Sequence, residues 1–128
     1  MKVPDSLPNS VGTLNLFKLN IMGYQEDTGK EWLKKLTPAD RKTIGDDMRT
    51  VELGWPIGMP VVKKVDTDLW EVRSNLPNSR ISRVLFTVSG QMMILLHGFI
   101  KKSPKTPLND LRTAKQRMFR FGKEKSDE

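Results

Sequence analysis

The sequence predicts an α+β fold, a chiefly antiparallel sheet of about four strands with two helices before it and one after it. Three observations predict it. Apolar residues alternate with period two through "LWEVR" and "RISRVLFTV" and run almost unbroken through "QMMILLHGFI", so the second half of the chain reads as strands. The links between these segments, Asp66-Thr67-Asp68, "SNLPNS" and Ser89-Gly90, are turn clusters short enough to join antiparallel neighbours. Helical spacing preceded by N-cap residues flanks the strands on both sides. At 128 residues the chain makes one domain with one core, and the helices are expected together on one side of the sheet.

Taken in order, residues 1–12 mix Pro, Asn, Ser and Gly without periodicity and read as an extended or disordered tail. A single domain is expected over 13–121, followed by a polar tail, 122–128. Phe17, Leu19 and Ile21 alternate with Lys18 and Asn20, as in a half-buried strand. Thr28 with Glu31 has capping-box spacing and opens a short helix with Trp32, Leu33 and Leu36 on its apolar stripe. Thr37-Pro38, an N-cap followed by proline at the first helical position, opens a second helix. Ile44, Met48 and Val51 share one of its faces, and Gly54 stops it. "GWPIGMP" is a loop and "VVKKV" a short strand. In "LWEVR" the alternation puts Leu69, Glu71 and Arg73 on one face, Trp70 and Val72 on the other. In the next strand Arg83, Leu85 and Thr87 oppose Val84, Phe86 and Val88. "QMMILLHGFI" is apolar on both faces and reads as a central strand. Thr106-Pro107 repeats the N-cap and proline signal, and Leu108, Leu111, Ala114, Met118 and Phe121 form the stripe of a last helix.

The net charge is +7 and the sequence pI about 9.8, which points to an anionic partner. The absence of cysteine excludes a disulfide framework and a thiolate site, and a single histidine argues against a zinc centre. No apolar run reaches transmembrane length and residues 1–12 lack the apolar stretch of a secretory signal, so a cytoplasmic location and no membrane partner are expected. The positive charge is concentrated. Between Lys101 and Phe121 stand seven bases, Lys101, Lys102, Lys105, Arg112, Lys115, Arg117 and Arg120, against one acid, Asp110. Arg73, Arg80 and Arg83 lie on or beside the two strands before the apolar one. Clustered cations repel one another and become favourable when a polyanion fills them; phosphate suits them, since arginine binds it in fork geometry and lysine as a point charge. Trp32, Trp55 and Trp70 are expected in the core. His97, in an apolar strand, is expected to hold a buried hydrogen bond rather than to catalyse.

"DTDLWEVR", "SRVLF", "MILLHGFIKKSPKTP" and "LRTAKQRMFRF" occur in that order and at close spacing. In these residues the chain, from about Glu31 to Phe121 or about 70 per cent of its length, resembles the HigB/RelE-type toxin family in its phage-derived branch. The resemblance implies a RelE-like fold and the toxin of a toxin–antitoxin pair. Such a toxin acts as a ribosome-associated mRNA endonuclease that inhibits translation. Its expected partners are mRNA, the ribosome and a helix-turn-helix, HigA-like antitoxin, in a complex that is oligomeric. By motif position the family's functional bases fall on Arg73, Arg83, Lys101 and Lys102. Many relatives carry a tyrosine near the active site at the end of the last helix, where this chain has Phe121.

Cleavage of this kind needs no metal and no cofactor. It needs a base for the 2′-hydroxyl proton, cations for the charge building on phosphate, and an acid for the leaving 5′-oxygen. Like charge nearby disfavours a protonated lysine, which would free Lys101 or Lys102 to act as base. Arg73 and Arg83 suit charge stabilisation, because arginine stays protonated. RNA contacts are expected from Arg80, Lys105, Arg112, Lys115, Arg117, Arg120 and Phe121, and removal of Arg83 is expected to leave the fold intact. Two alternatives share these features: a ParE-like toxin that poisons gyrase, and a nucleic-acid-binding module without activity.

Overall fold

The computed structural model describes residues 19–23, 28–102 and 105–126. The expected tail 1–12, Phe17 of the expected first strand and the side chain of Thr28 lie outside the described residues. The elements run β1 (Asn20–Gly23), α1 (Thr28–Lys34), α2 (Pro38–Gly54), β2 (Val62–Asp66), β3 (Leu69–Leu76), β4 (Arg80–Ser89), β5 (Met92–Lys101) and α3 (Leu108–Ser126). The sheet has five strands in the order β1-β5-β4-β3-β2. β1 pairs parallel with β5, and every other pair is antiparallel.

α2 begins as its sequence dictates. The Thr37 hydroxyl accepts from the Asp40 backbone N–H at 3.2 Å, and Pro38 occupies the first turn, where its missing N–H costs nothing. Arg41 reaches back to donate to the carbonyls of Leu33 and Leu36, at 3.2 and 3.0 Å, fastening α2 to the turn that follows α1. Ile44, Met48 and Val51 are buried against Val72, Val84, Phe86, Met93 and Leu95, with Trp32, Leu33, Trp55 and Trp70 packed around them. Trp55 meets Trp70 and Phe86 edge-on, with ring centroids at 5.0 and 5.6 Å.

The expectation that all helices share one side of the sheet is corrected here. A second core, Leu69, Leu85, Ile94, Leu96, Phe99 and Ala114, lies on the other face, closed by Leu111, Met118 and Phe121 of α3. A sheet covered on both faces explains why β5 is apolar on both sides. α3 also continues past Phe121 to Ser126, where a tail was expected; Lys and Glu are good helix formers, and Gly122 alone does not stop the helix.

Two details of β5 position the site. Leu85 pairs with His97 and Phe86 with Leu95, so Leu96 is an extra, bulged residue. Leu96 faces the α3 core, and His97, Phe99 and Lys101 beyond it lie on that same face, while Met93 and Leu95 serve the other. At Gly98 a Cβ would stand 2.7–2.9 Å from the Trp32 ring, so only glycine lets α1 approach the strand this closely.

Candidate active site

Three cross-strand rows project toward α3 at the end of the sheet where β5 finishes. The strand register gives them as Glu71–Leu85–His97, Arg73–Arg83–Phe99 and Asn75–Ile81–Lys101. Arg73 therefore stands directly opposite Arg83. The Arg73 backbone N–H donates to Val61 at 2.8 Å, on the side away from β4. The two arginines thus form a non-hydrogen-bonded pair, with Cα atoms about 4.5 Å apart and side chains brought close. Like charges directly opposite are destabilising, and the site holds the group that offsets them. Glu71, two residues before Arg73 and wholly buried, has Oε1 at 3.7 Å from Arg73 Nε.

Thr106 completes the cluster. Its hydroxyl donates to Glu71 Oε2 at 2.8 Å and accepts from Arg83 Nη1 at 3.4 Å. The expected N-cap role of Thr106 is thereby corrected: its hydroxyl is drawn to the buried carboxylate, and the first helical bond of α3 runs from Leu111 to the Pro107 carbonyl at 3.0 Å. Arg83 is wholly buried. Burial pushes its pKa below the ordinary guanidinium value, Glu71 pulls it back up, and Arg73 pushes it further down. Arg83 is thus part of the core, which corrects the expectation that it could be removed without cost to the fold. Glu71 Oε1 and Arg73 Nε are buried without a hydrogen-bond partner among the described residues, leaving a donor and an acceptor that attract at 3.7 Å but do not bond.

The other expected site residues divide by position. Lys101 and Lys102 are exposed at the end of β5, with Lys101 one row, about 7 Å, beyond Arg83 on the same face. Lys105 is exposed in the segment leading to α3. Arg80 lies on the opposite face of the sheet, bound through both Nη atoms to Asp40 at 2.8 and 3.1 Å. That pairing holds the Asp40 carboxyl below its ordinary pKa. On α3, Lys115 binds Asp66 at 2.7 Å, and Arg117 donates to the carbonyl of the bulged Leu96 at 2.7 Å. Phe121 is packed in the second core, and Arg112 and Arg120 are exposed. His97 Nε2 donates to Asp110 Oδ1 at 2.7 Å, and its ring lies 5.8 Å from that of Phe99. The structure therefore joins Arg73 and Arg83 with Lys101 in the next row, and separates Arg80 from them.

Glu71, Thr106 and Asp110 were not among the expected site residues. Glu71 carried a signal in the sequence: it shares an alternating face with Leu69 and Arg73, where a carboxylate has no reason to stand unless a cation meets it.

The family model described as phage derived protein Gp49-like matches residues 31–119. The chain belongs to the Gp49-like family. This family is of RelE/HigB-like toxin type and is associated with the toxins of toxin–antitoxin pairs. The Gp49-like match begins in α1 and ends within α3, so it includes every residue of the Arg73–Arg83 row and its Glu71–Thr106 support. No curated protein matches the chain. Among the described residues, no helix is long and apolar enough to cross a membrane.

Proposed function

We propose that this Gp49-like chain is the toxin of a toxin–antitoxin pair and acts as a metal-independent mRNA endonuclease at the ribosome in the cytoplasm. The observation that carries the reading is the placement of Arg73 opposite Arg83, with Lys101 one row further on the same face. That arrangement gives three strands' worth of positive charge aimed at one end of the sheet, which suits the charge that develops on a phosphate under attack.

Within this reading the roles follow exposure. Arg73, part-exposed, and the exposed Lys101 and Lys102 contact the scissile phosphate. Arg83, buried beneath them, stabilises the same charge through its field and fixes the direction of its neighbours through Thr106. Lys101 or Lys102 takes the 2′-hydroxyl proton, the 2′-oxygen attacks phosphorus, and the 5′-oxygen leaves with a proton. The products are a 2′,3′-cyclic phosphate and a 5′-hydroxyl end. Neutralisation falls to a helix-turn-helix antitoxin.

The test is primer extension on cellular mRNA after induced expression, with Lys101→Ala/Lys102→Ala and Arg73→Ala beside the parent chain. Cuts inside translated frames that disappear in variants shown by circular dichroism to be folded support the reading. Intact mRNA together with a DNA-damage response would replace it with gyrase poisoning.

A further inference from the structure

β2 carries two exposed lysines, Lys63 and Lys64, outside the Arg73–Arg83 row. Neighbours on a strand point to opposite faces of the sheet. Lys64 stands opposite Trp70 and lies over its ring, 5.9 Å from the centroid, on the face that α1 and α2 cover. Lys63 stands opposite Glu71 and extends the first row of the site to the edge of the sheet, as Lys63–Glu71–Leu85–His97. Glu71 does not take up this lysine, because its carboxylate is turned to Thr106 and Arg73. Among the described residues no ion pair or side-chain hydrogen bond engages Lys63. The face toward α3 thus holds one cation on each of four strands. Lys63 stands in the first row, Arg73 and Arg83 in the second, and Lys101 in the third. Their order is diagonal. Each lysine lies one row along and one strand aside from the nearer arginine, about 8 Å between Cα atoms, and the whole line spans about 20 Å. It faces solvent at Lys63, Arg73 and Lys101, with Arg83 buried beneath it.

We infer that Lys63 binds an RNA phosphate next to the one that Arg73 holds, so that the RNA backbone crosses the sheet from the end of β5 toward β2. The inference rests on the reading of the Arg73–Arg83 row as an RNA site. A lysine binds phosphate as a point charge and needs no fixed angle of approach. That suits a contact which positions the strand beside the reacting group. A line of cations fits a chain that carries charge at every unit along its length. An acidic protein would need an apolar centre to its interface, and the apolar side chains within these rows, Leu85 and Phe99, are buried. An edge-strand lysine also keeps an open sheet edge from pairing with another chain. That role alone predicts self-association when the charge is removed, with RNA binding unchanged.

The test uses the full chain and RNAs made uncleavable by 2′-O-methyl groups. One is a dinucleotide, whose single phosphate cannot occupy two positions, and the other has about eight nucleotides, longer than the line of cations. Binding is read by NMR titration for the dinucleotide and by fluorescence anisotropy over a range of salt for the longer RNA. Lys63→Gln is expected to weaken the longer RNA about threefold to tenfold and to reduce its salt slope by about 0.7, the value of one phosphate contact on a single strand. Dinucleotide binding should stay unchanged, and Lys63→Arg should retain the affinity of the parent for the longer RNA. Circular dichroism and melting temperature should not move, because Lys63 is exposed. Equal loss with both RNAs overturns the proposal, and so does an unaltered salt slope. Polyglutamate of matched charge losing as much affinity as the longer RNA overturns it too, as does self-association of Lys63→Gln with RNA binding intact. This outcome and that of primer extension separate: cuts in mRNA without the Lys63 effect sink only the lysine contact, and the Lys63 effect without cuts sinks only the nuclease.

Discussion

The Thr106 hydroxyl donates to Glu71 Oε2 across 2.8 Å, tying the segment that opens α3 to the middle of β3. Through this one group the helix start, a buried carboxylate and a buried guanidinium share a hydrogen-bond chain. Thr106→Val keeps the shape and removes the link. Stability in urea unfolding should fall by about 1–3 kcal/mol, the cost of an unsatisfied buried acceptor. If cleavage depends on the direction of the arginines, it should fall more than the loss of folded protein accounts for.

Arg83 and Glu71 should depend on each other. Arg83→Met leaves the buried Glu71 carboxylate with only Arg73, at 3.7 Å, to offset its charge, and should cost about 3–5 kcal/mol. Adding Glu71→Gln should recover a substantial part of that loss, because the buried side chain at 71 is then uncharged. A double variant as unstable as the sum of the two singles would show that the two charges do not interact.

His97→Gln removes the bond to Asp110 and should lower stability by about 1–3 kcal/mol. Single-turnover cleavage by the folded fraction should stay within about tenfold of the parent, against the roughly 10²–10⁴ that a general acid or base contributes. A thousandfold loss in a fully folded variant would make His97 catalytic.

The Asp40–Arg80 pair predicts a pH dependence. Arg80 holds the Asp40 carboxyl below its ordinary value, so the unfolded chain binds this proton more readily than the folded one. The stabilisation is present above the unfolded carboxyl pKa of about 3.9 and is lost as pH falls through the lower folded value. Asp40→Asn should therefore be less stable than the parent at neutral pH, and the two denaturation midpoints should converge below about pH 4. A gap that stays constant through the acid range would exclude the ion pair as its source.

Gly98→Ala places a methyl group against the Trp32 ring, 2.7 Å from its nearest carbon. Thermal unfolding should show a loss of about 1–3 kcal/mol from overpacking. Trp32→Leu in the same chain should return part of it, while Trp32→Leu alone should destabilise.

Much of this architecture was legible because local chemistry and tertiary need coincide. Thr37-Pro38 caps α2 as its sequence reads, and the alternation in β3 and β4 sorts their side chains correctly between two faces. Thr106-Pro107 presents the same dipeptide and behaves otherwise, because its hydroxyl meets a carboxylate 35 residues away. No local pattern contains that partner. The placement of the helices was misread, although its evidence was present: a strand apolar on both faces already requires cover on both sides. The bulge at Leu96 was hidden for a different reason. Met93, Ile94, Leu95 and Leu96 are all apolar, so the sequence carries no alternation whose break could mark the extra residue.

That extra residue decides a question of parity. In an unbroken strand Met93, Leu95, His97, Phe99 and Lys101, all odd-numbered, would share one side. Lys101 would then emerge beneath α1 and α2, with the sheet between it and the paired arginines. One inserted position reverses the count halfway along β5, so Met93 and Leu95 fill one core while His97, Phe99 and Lys101 surface on the opposite side. A strand that absorbed Leu96 into unbroken alternation would leave the composition of the basic end unchanged and send Lys101 to the wrong side of the protein, whereas a strand without Leu96 would keep Lys101 where it is, because Leu95 and His97 already face opposite sides.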